Sequence, residues 1–62
     1  MRKLKFIGES EKGTWTHYFT PGTIYEAYNS VEIEGVELVR NDFYVGLKLD
    51  SERLRRFEEV HD

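Results

Sequence analysis

Apolar and polar residues alternate in short runs along this chain, and turn-forming residues separate the runs. Leu4 and Phe6, set between Lys3 and Lys5, mark a half-buried first strand that Ile7 and Gly8 close. Glu9-Ser10-Glu11-Lys12-Gly13 reads as a polar loop with a glycine turn. Thr14 to Thr20 is β-prone throughout, either an irregular strand or the arm of a long hairpin loop. Alternation there puts Trp15, His17 and Phe19 on one face and Thr14, Thr16, Tyr18 and Thr20 on the other. Pro21 then presets φ at the second position of a β-turn, and Gly22 takes the positive φ of a type II turn. The turn delivers the chain into a strand over Ile24 to Tyr28, which Asn29-Ser30 ends.

Alternation resumes in Val31-Glu32-Ile33-Glu34 and, after Gly35, in Val36-Glu37-Leu38-Val39, with Gly35 read as a turn or bend. Arg40-Asn41-Asp42 is a connection, and Phe43 to Leu49 is the next strand, with Val45, Leu47 and Leu49 on one face. Asp50 or Ser51 caps one short helical turn through Arg55. Phe57-Glu58-Glu59-Val60 fits either a last strand or a continued helix. The pattern predicts a mainly β fold: a small five- to six-stranded antiparallel barrel, partly open, with one helical turn before the last strand. Parallel pairing is not expected, since no connection is long enough for a helical crossover.

Length and composition narrow the picture. Residues 1–62 make one domain, and a chain this short buries only about 60% of its unfolded surface. With no cysteine there is neither a disulfide framework nor a thiolate metal cage, so a 15% aromatic content must build the core. Dimerisation through a sheet edge is the other route to buried surface, and the chain is expected as a monomer or homodimer. A net charge of −3 disfavours non-specific attraction to nucleic acid or an anionic membrane. No apolar run approaches the roughly 20 residues of a membrane span, and Met1 to Gly8 lacks the apolar stretch of a secretion signal. A cytoplasmic protein is therefore expected.

Three pieces resemble the SH3-like barrels found as very small proteins in bacteria and their phages. They are Leu4-Lys5-Phe6-Ile7-Gly8, then Phe19-Thr20-Pro21-Gly22-Thr23-Ile24-Tyr25-Glu26, then the helical turn from Asp50 to Phe57 leading into a final strand. In that family a Phe-Thr-x-Gly-x-x-Tyr run opens the second strand, and Pro21 occupies its variable position here. The resemblance implies an SH3-like barrel whose first and last strands are neighbours. It also implies a non-enzymatic accessory protein in the host cytoplasm that docks on a host protein, such as a nucleic-acid-handling or defence enzyme that it inhibits. The chain departs from the family in its acidic, aromatic middle from Tyr28 to Phe43 and lacks the tandem aromatic-and-acid signature of a polyproline groove.

No catalytic, cofactor or metal constellation stands out. His17 and His61 are far apart with no cysteine companions, and Ser10, Ser30 and Ser51 sit at turns or caps where their hydroxyls have structural roles. The residues expected to carry function are therefore partner contacts: Trp15, Tyr18, Tyr28 and Tyr44 as aromatic anchors, with Phe43 of the same kind. Trp15 has a competing role in closing one end of the core. Glu32, Glu34 and Glu37 would select a partner with a basic surface, within an acidic middle that also holds Glu26 and Asp42. Arg2, Lys3, Lys5, Arg53, Arg55 and Arg56 would form an opposing basic patch where the chain ends meet. The competing functions are a nucleic-acid-binding barrel, with Trp15 and Tyr18 as stacking platforms, and a structural or self-assembling component.

Overall fold

A computed structural model of the chain, described for residues 1–61, is built from five strands. They are β1 (Arg2–Phe6), β2 (Ile24–Asn29), β3 (Glu37–Arg40), β4 (Gly46–Lys48) and β5 (Phe57–Val60). A 3-10 turn at Trp15–Tyr18 precedes β2, and one turn of helix, α1 (Ser51–Leu54), precedes β5. The strands form one antiparallel sheet in the order β4-β3-β2-β1-β5. The sheet is open, with β4 and β5 as its edges, and it has five strands where five or six were expected.

Register decides which side chains go inward. Leu4 pairs with Tyr25, Phe6 with Phe57, and Ala27 with Val39, and all six are buried. Phe19 joins them, while Trp15, Leu47, Leu49 and Leu54 pack against the group. The core is largely aromatic. Phe6 lies 5.6 Å from Phe19 and 5.3 Å from Phe57 between ring centroids, and Phe19 meets Tyr25 edge-on at 4.9 Å. Such contacts let a few large rings fill a core that aliphatic side chains would need more chain to fill.

Turn chemistry sets the entry to β2 as the sequence predicts. Thr23 donates to the Thr20 carbonyl at 3.1 Å across Pro21-Gly22, and Gly22 has φ +83°. Asp50 caps α1, its carboxylate accepting the Arg53 N–H at 2.8 Å. Phe57–Val60 is a strand, not a continued helix.

Three segments depart from the predicted pattern. Thr14 to Thr20 is no strand: the Thr14 hydroxyl caps a 3-10 turn and bonds the Thr16 hydroxyl at 2.6 Å. Winding the chain brings Trp15 and Phe19, four apart, onto the core and turns His17 outward, so His17 does not share their face. Val31 to Glu34 is a capped loop instead of a strand. The Ser30 hydroxyl accepts the N–H groups of Glu32 and Ile33, Gly35 takes φ +82°, and Val31 and Ile33 face solvent. Local side-chain hydrogen bonds compete with a sheet ladder there and win, because no core face is available to reward the alternation. Finally, Phe43 to Val45 is a hairpin tip, leaving only Gly46–Lys48 as strand and Val45 exposed, away from Leu47 and Leu49.

The first and last strands do pair, yet they mix charge instead of forming a basic patch. Lys5 lies opposite Glu58, and Lys3 opposite Glu26. Arg2 bonds Glu37 and Glu59, and Arg53 sits 3.9 Å from Asp50.

Candidate interaction surface

The β3–β4 hairpin closes through a tip that its own side chains stiffen. Asn41 and Val45 are bridged by Asn41 N–H to the Val45 carbonyl at 3.0 Å, and Tyr44 N–H donates to the Asn41 carbonyl at 3.0 Å. The Asn41 Oδ1 then accepts two further N–H groups, from Phe43 at 2.8 Å and Val45 at 3.1 Å. A three-residue hairpin loop of this kind needs a left-handed residue at its end, a place glycine or asparagine fills at least cost. Here the residue is Tyr44, with φ +61°, the one positive-φ position among the described residues that is not glycine. Left-handed backbone strains a side chain with a Cβ, and such strain concentrates at functional positions.

Asp42 fastens this tip to the segment that enters β2. Its N–H donates to the Tyr18 carbonyl at 2.9 Å. Its carboxylate accepts the Tyr25 hydroxyl at 2.6 Å and the Thr20 hydroxyl at 3.0 Å, and the Tyr25 oxygen accepts the Thr20 N–H at 2.6 Å. Burial, and next the bond to the Asp42 carboxylate, raise the Tyr25 phenol above its ordinary pKa.

Held in this way, the tip presents an aromatic cluster. Phe43 packs edge-on against Tyr18 at 5.5 Å, and Tyr18 against His17 at 5.0 Å. Phe43 remains 69% exposed and Tyr44 80% exposed, with Val45 exposed beside them. Between Tyr44 and β2 runs a shallow groove of about 420 Å³, lined by Ile24, Glu26, Arg40 and Asp42 among others. Single exposed apolar residues are ordinary on a protein surface, but several adjoining ones on a stiffened projection are not.

The residues that the sequence nominates are only partly gathered here. Tyr18 meets Phe43 at the tip, and Tyr44, next in the chain, lines the groove beside β2. Trp15 does not: it is half-buried, edge-on to Phe6 and Phe19, stacked on Phe57, with the Arg53 guanidinium 5.9 Å from its ring. Tyr28 lies half-buried on the outer face beneath the Arg40 guanidinium, 4.8 Å from its ring. Glu32 and Glu34 stand exposed in the loop between β2 and β3, so β3 separates them from the tip. Glu37 is engaged in a two-pronged bond with Arg2, at 2.8 Å and 2.6 Å, which raises the Arg2 pKa. Asp42 belongs to the hydroxyl network described above. Glu32, Glu34, Glu37 and Asp42 therefore do not form one continuous acidic face.

Val45, Ile24 and the clamp of Asn41 are the contributors that sequence reasoning missed. The signal was Asn41-Asp42 followed by three apolar residues, which is turn chemistry attached to a run that alternation alone assigns to a strand. Among the described residues no cluster of His, Asp and Glu is arranged to hold a metal, and no helix is long and apolar enough to cross a membrane. Comparison with known proteins finds no family model, no curated protein and no solved structure that matches the chain.

Proposed function

We propose that this chain is a small SH3-like recognition module that performs no chemistry and docks on a protein partner through the hairpin tip. The pairing of first with last strand and the helical turn before the last strand support the SH3-like reading. The observation that carries the functional reading is Tyr44: an exposed aromatic side chain kept where the backbone favours glycine. A projecting, stiffened tip of Phe43 and Tyr44 suits a concave apolar pocket on the partner, since aromatic anchors that fill pockets dominate binding energy. The exposed Glu32 and Glu34 then act at a distance, steering association toward a partner with basic surface instead of contributing to the anchored contact. Docking of this kind fits an accessory protein that occupies a site on a host enzyme.

The experiment is affinity capture from the host lysate with the intact chain, followed by titration of the captured protein. Replacing Phe43 and Tyr44 with Ser is expected to abolish capture while the fold persists, whereas Glu32→Gln with Glu34→Gln slows association and leaves dissociation unchanged. Capture that survives loss of both tip aromatics refutes the reading. Binding to single-stranded nucleic acid that weakens steeply with salt replaces it with the nucleic-acid alternative.

A further inference from the structure

We propose that Asp42 is the positioning residue of this surface, a clasp that holds the Phe43–Tyr44 tip in its docking pose before any partner arrives. The inference rests on the tip being the binding surface, and its structural half can be tested without a partner. Asp42 is exposed and could have been an ordinary solvated charge. Instead its backbone and side chain together reach three residues outside the hairpin: Tyr18, Thr20 and Tyr25. Tyr25 is itself a core residue, paired with Leu4 across β1 and β2. The clasp therefore ties a surface projection to the core of the sheet. It also brings the backbone beside Phe43 against that of Tyr18 through the bond from Asp42 N–H to the Tyr18 carbonyl, and the two rings meet edge-on there.

Asn41 alone stiffens the loop internally, but its bonds run only to Phe43, Tyr44 and Val45 within the hairpin. Without the clasp, the tip keeps its turn and loses its orientation relative to the sheet. Docking must then freeze that freedom again, and two aromatic side chains re-ordered on contact weaken affinity by on the order of tenfold.

The test is backbone amide relaxation in the intact chain, comparing Asp42→Ala, Asp42→Asn and Tyr25→Phe. In the parent chain the amides of Phe43, Tyr44 and Val45 are expected at order parameters near those of the sheet, about 0.85, and in Asp42→Ala they fall below about 0.6. Amides of β1, β2 and β5 stay unchanged. Asp42→Asn keeps an acceptor for the Tyr25 hydroxyl and restores much of the order. A tip that stays ordered in Asp42→Ala overturns the proposal. Should Asp42→Ala unfold as a whole, Tyr25→Phe decides, since it removes one arm of the clasp and leaves the ring in the core: a loosened tip supports the clasp and an ordered tip overturns it. Loosening with unchanged partner affinity overturns the positioning role of Asp42, whereas the docking reading falls only where capture survives loss of both tip aromatics, so the two failures are distinguishable.

Discussion

Substituting Tyr44 by Gly and by Ala separates the backbone cost of this residue from the worth of its side chain. At an ordinary position Gly is less stable than Ala by about 0.4–1 kcal/mol, because the unfolded chain gains freedom. At φ +61° the order should invert. The left-handed conformation costs a residue with a Cβ about 1–2 kcal/mol and costs glycine nothing. Subtracting the glycine entropy, mid-range from mid-range, leaves Tyr44→Gly more stable than Tyr44→Ala by about 0.8 kcal/mol. Both variants lose the same aromatic ring, which is 80% exposed, so its small burial cancels from the comparison. For a domain of this size 1 kcal/mol moves Tm by about 4–8 °C, so a gap of roughly 3–6 °C is expected in thermal unfolding followed by circular dichroism. If Tyr44→Ala melts at or above Tyr44→Gly, no strain is stored at the tip and the inference from strain to function collapses. The companion measurement is partner capture, which both variants are expected to lose. A variant that is more stable and no longer binds is the signature of a residue kept for recognition.

Three other outcomes follow from the packing. Gly46→Ala places a Cβ 2.5 Å from the Tyr28 hydroxyl, so it should cost about 1–3 kcal/mol by overpacking; in a Tyr28→Phe background the nearest ring carbon is 3.6 Å away, and urea unfolding should show most of that penalty gone. Trp15→Ala removes a half-buried ring that touches Phe6, Phe19 and Phe57, and should cost about 2–3 kcal/mol; a loss below about 0.5 kcal/mol in chemical denaturation would contradict its place in the core. The Tyr25 phenol titrates higher in the folded chain than in the unfolded one, so the neutral form is favoured by folding. Its contribution is therefore complete below the unfolded pKa of about 10 and is lost as pH rises through the folded value. Relative to Tyr25→Phe, the parent chain should lose stability faster in melts run from pH 9 to 11.

What could be read from the sequence was whatever local chemistry decides by itself. Pro21-Gly22 and Asp50 carry their geometry in their own side chains and φ preferences, so the turn into β2 and the cap of α1 were both legible. Leu4, Phe6 and Ile24 to Tyr28 alternate beside a core, and the pattern matched the fold there. Val31 to Glu34 alternates equally well and forms no strand, because period two records only that a strand would have two unlike faces. Whether one face finds a core depends on distant residues, and at Val31 none does. The same blindness hid the tip. Phe43-Tyr44-Val45 looks like β-strand by composition, and only the bonds of Asn41 to those residues show that the chain reverses first. Charge was the least legible property. Glu37 and Arg2 are far apart in sequence, and nothing in either neighbourhood indicates that β3 and β1 bring them within 2.6 Å.

The two rims of the sheet bear on how molecules of this kind can come together. β4 is a three-residue rim ending in Lys48, and β5 carries Glu58 and Glu59 along its length. A neighbour adding itself sideways would find a very short ladder on one flank and like charges on the other, both recognised deterrents to runaway strand addition. Sideways strand addition is thereby disfavoured at both rims.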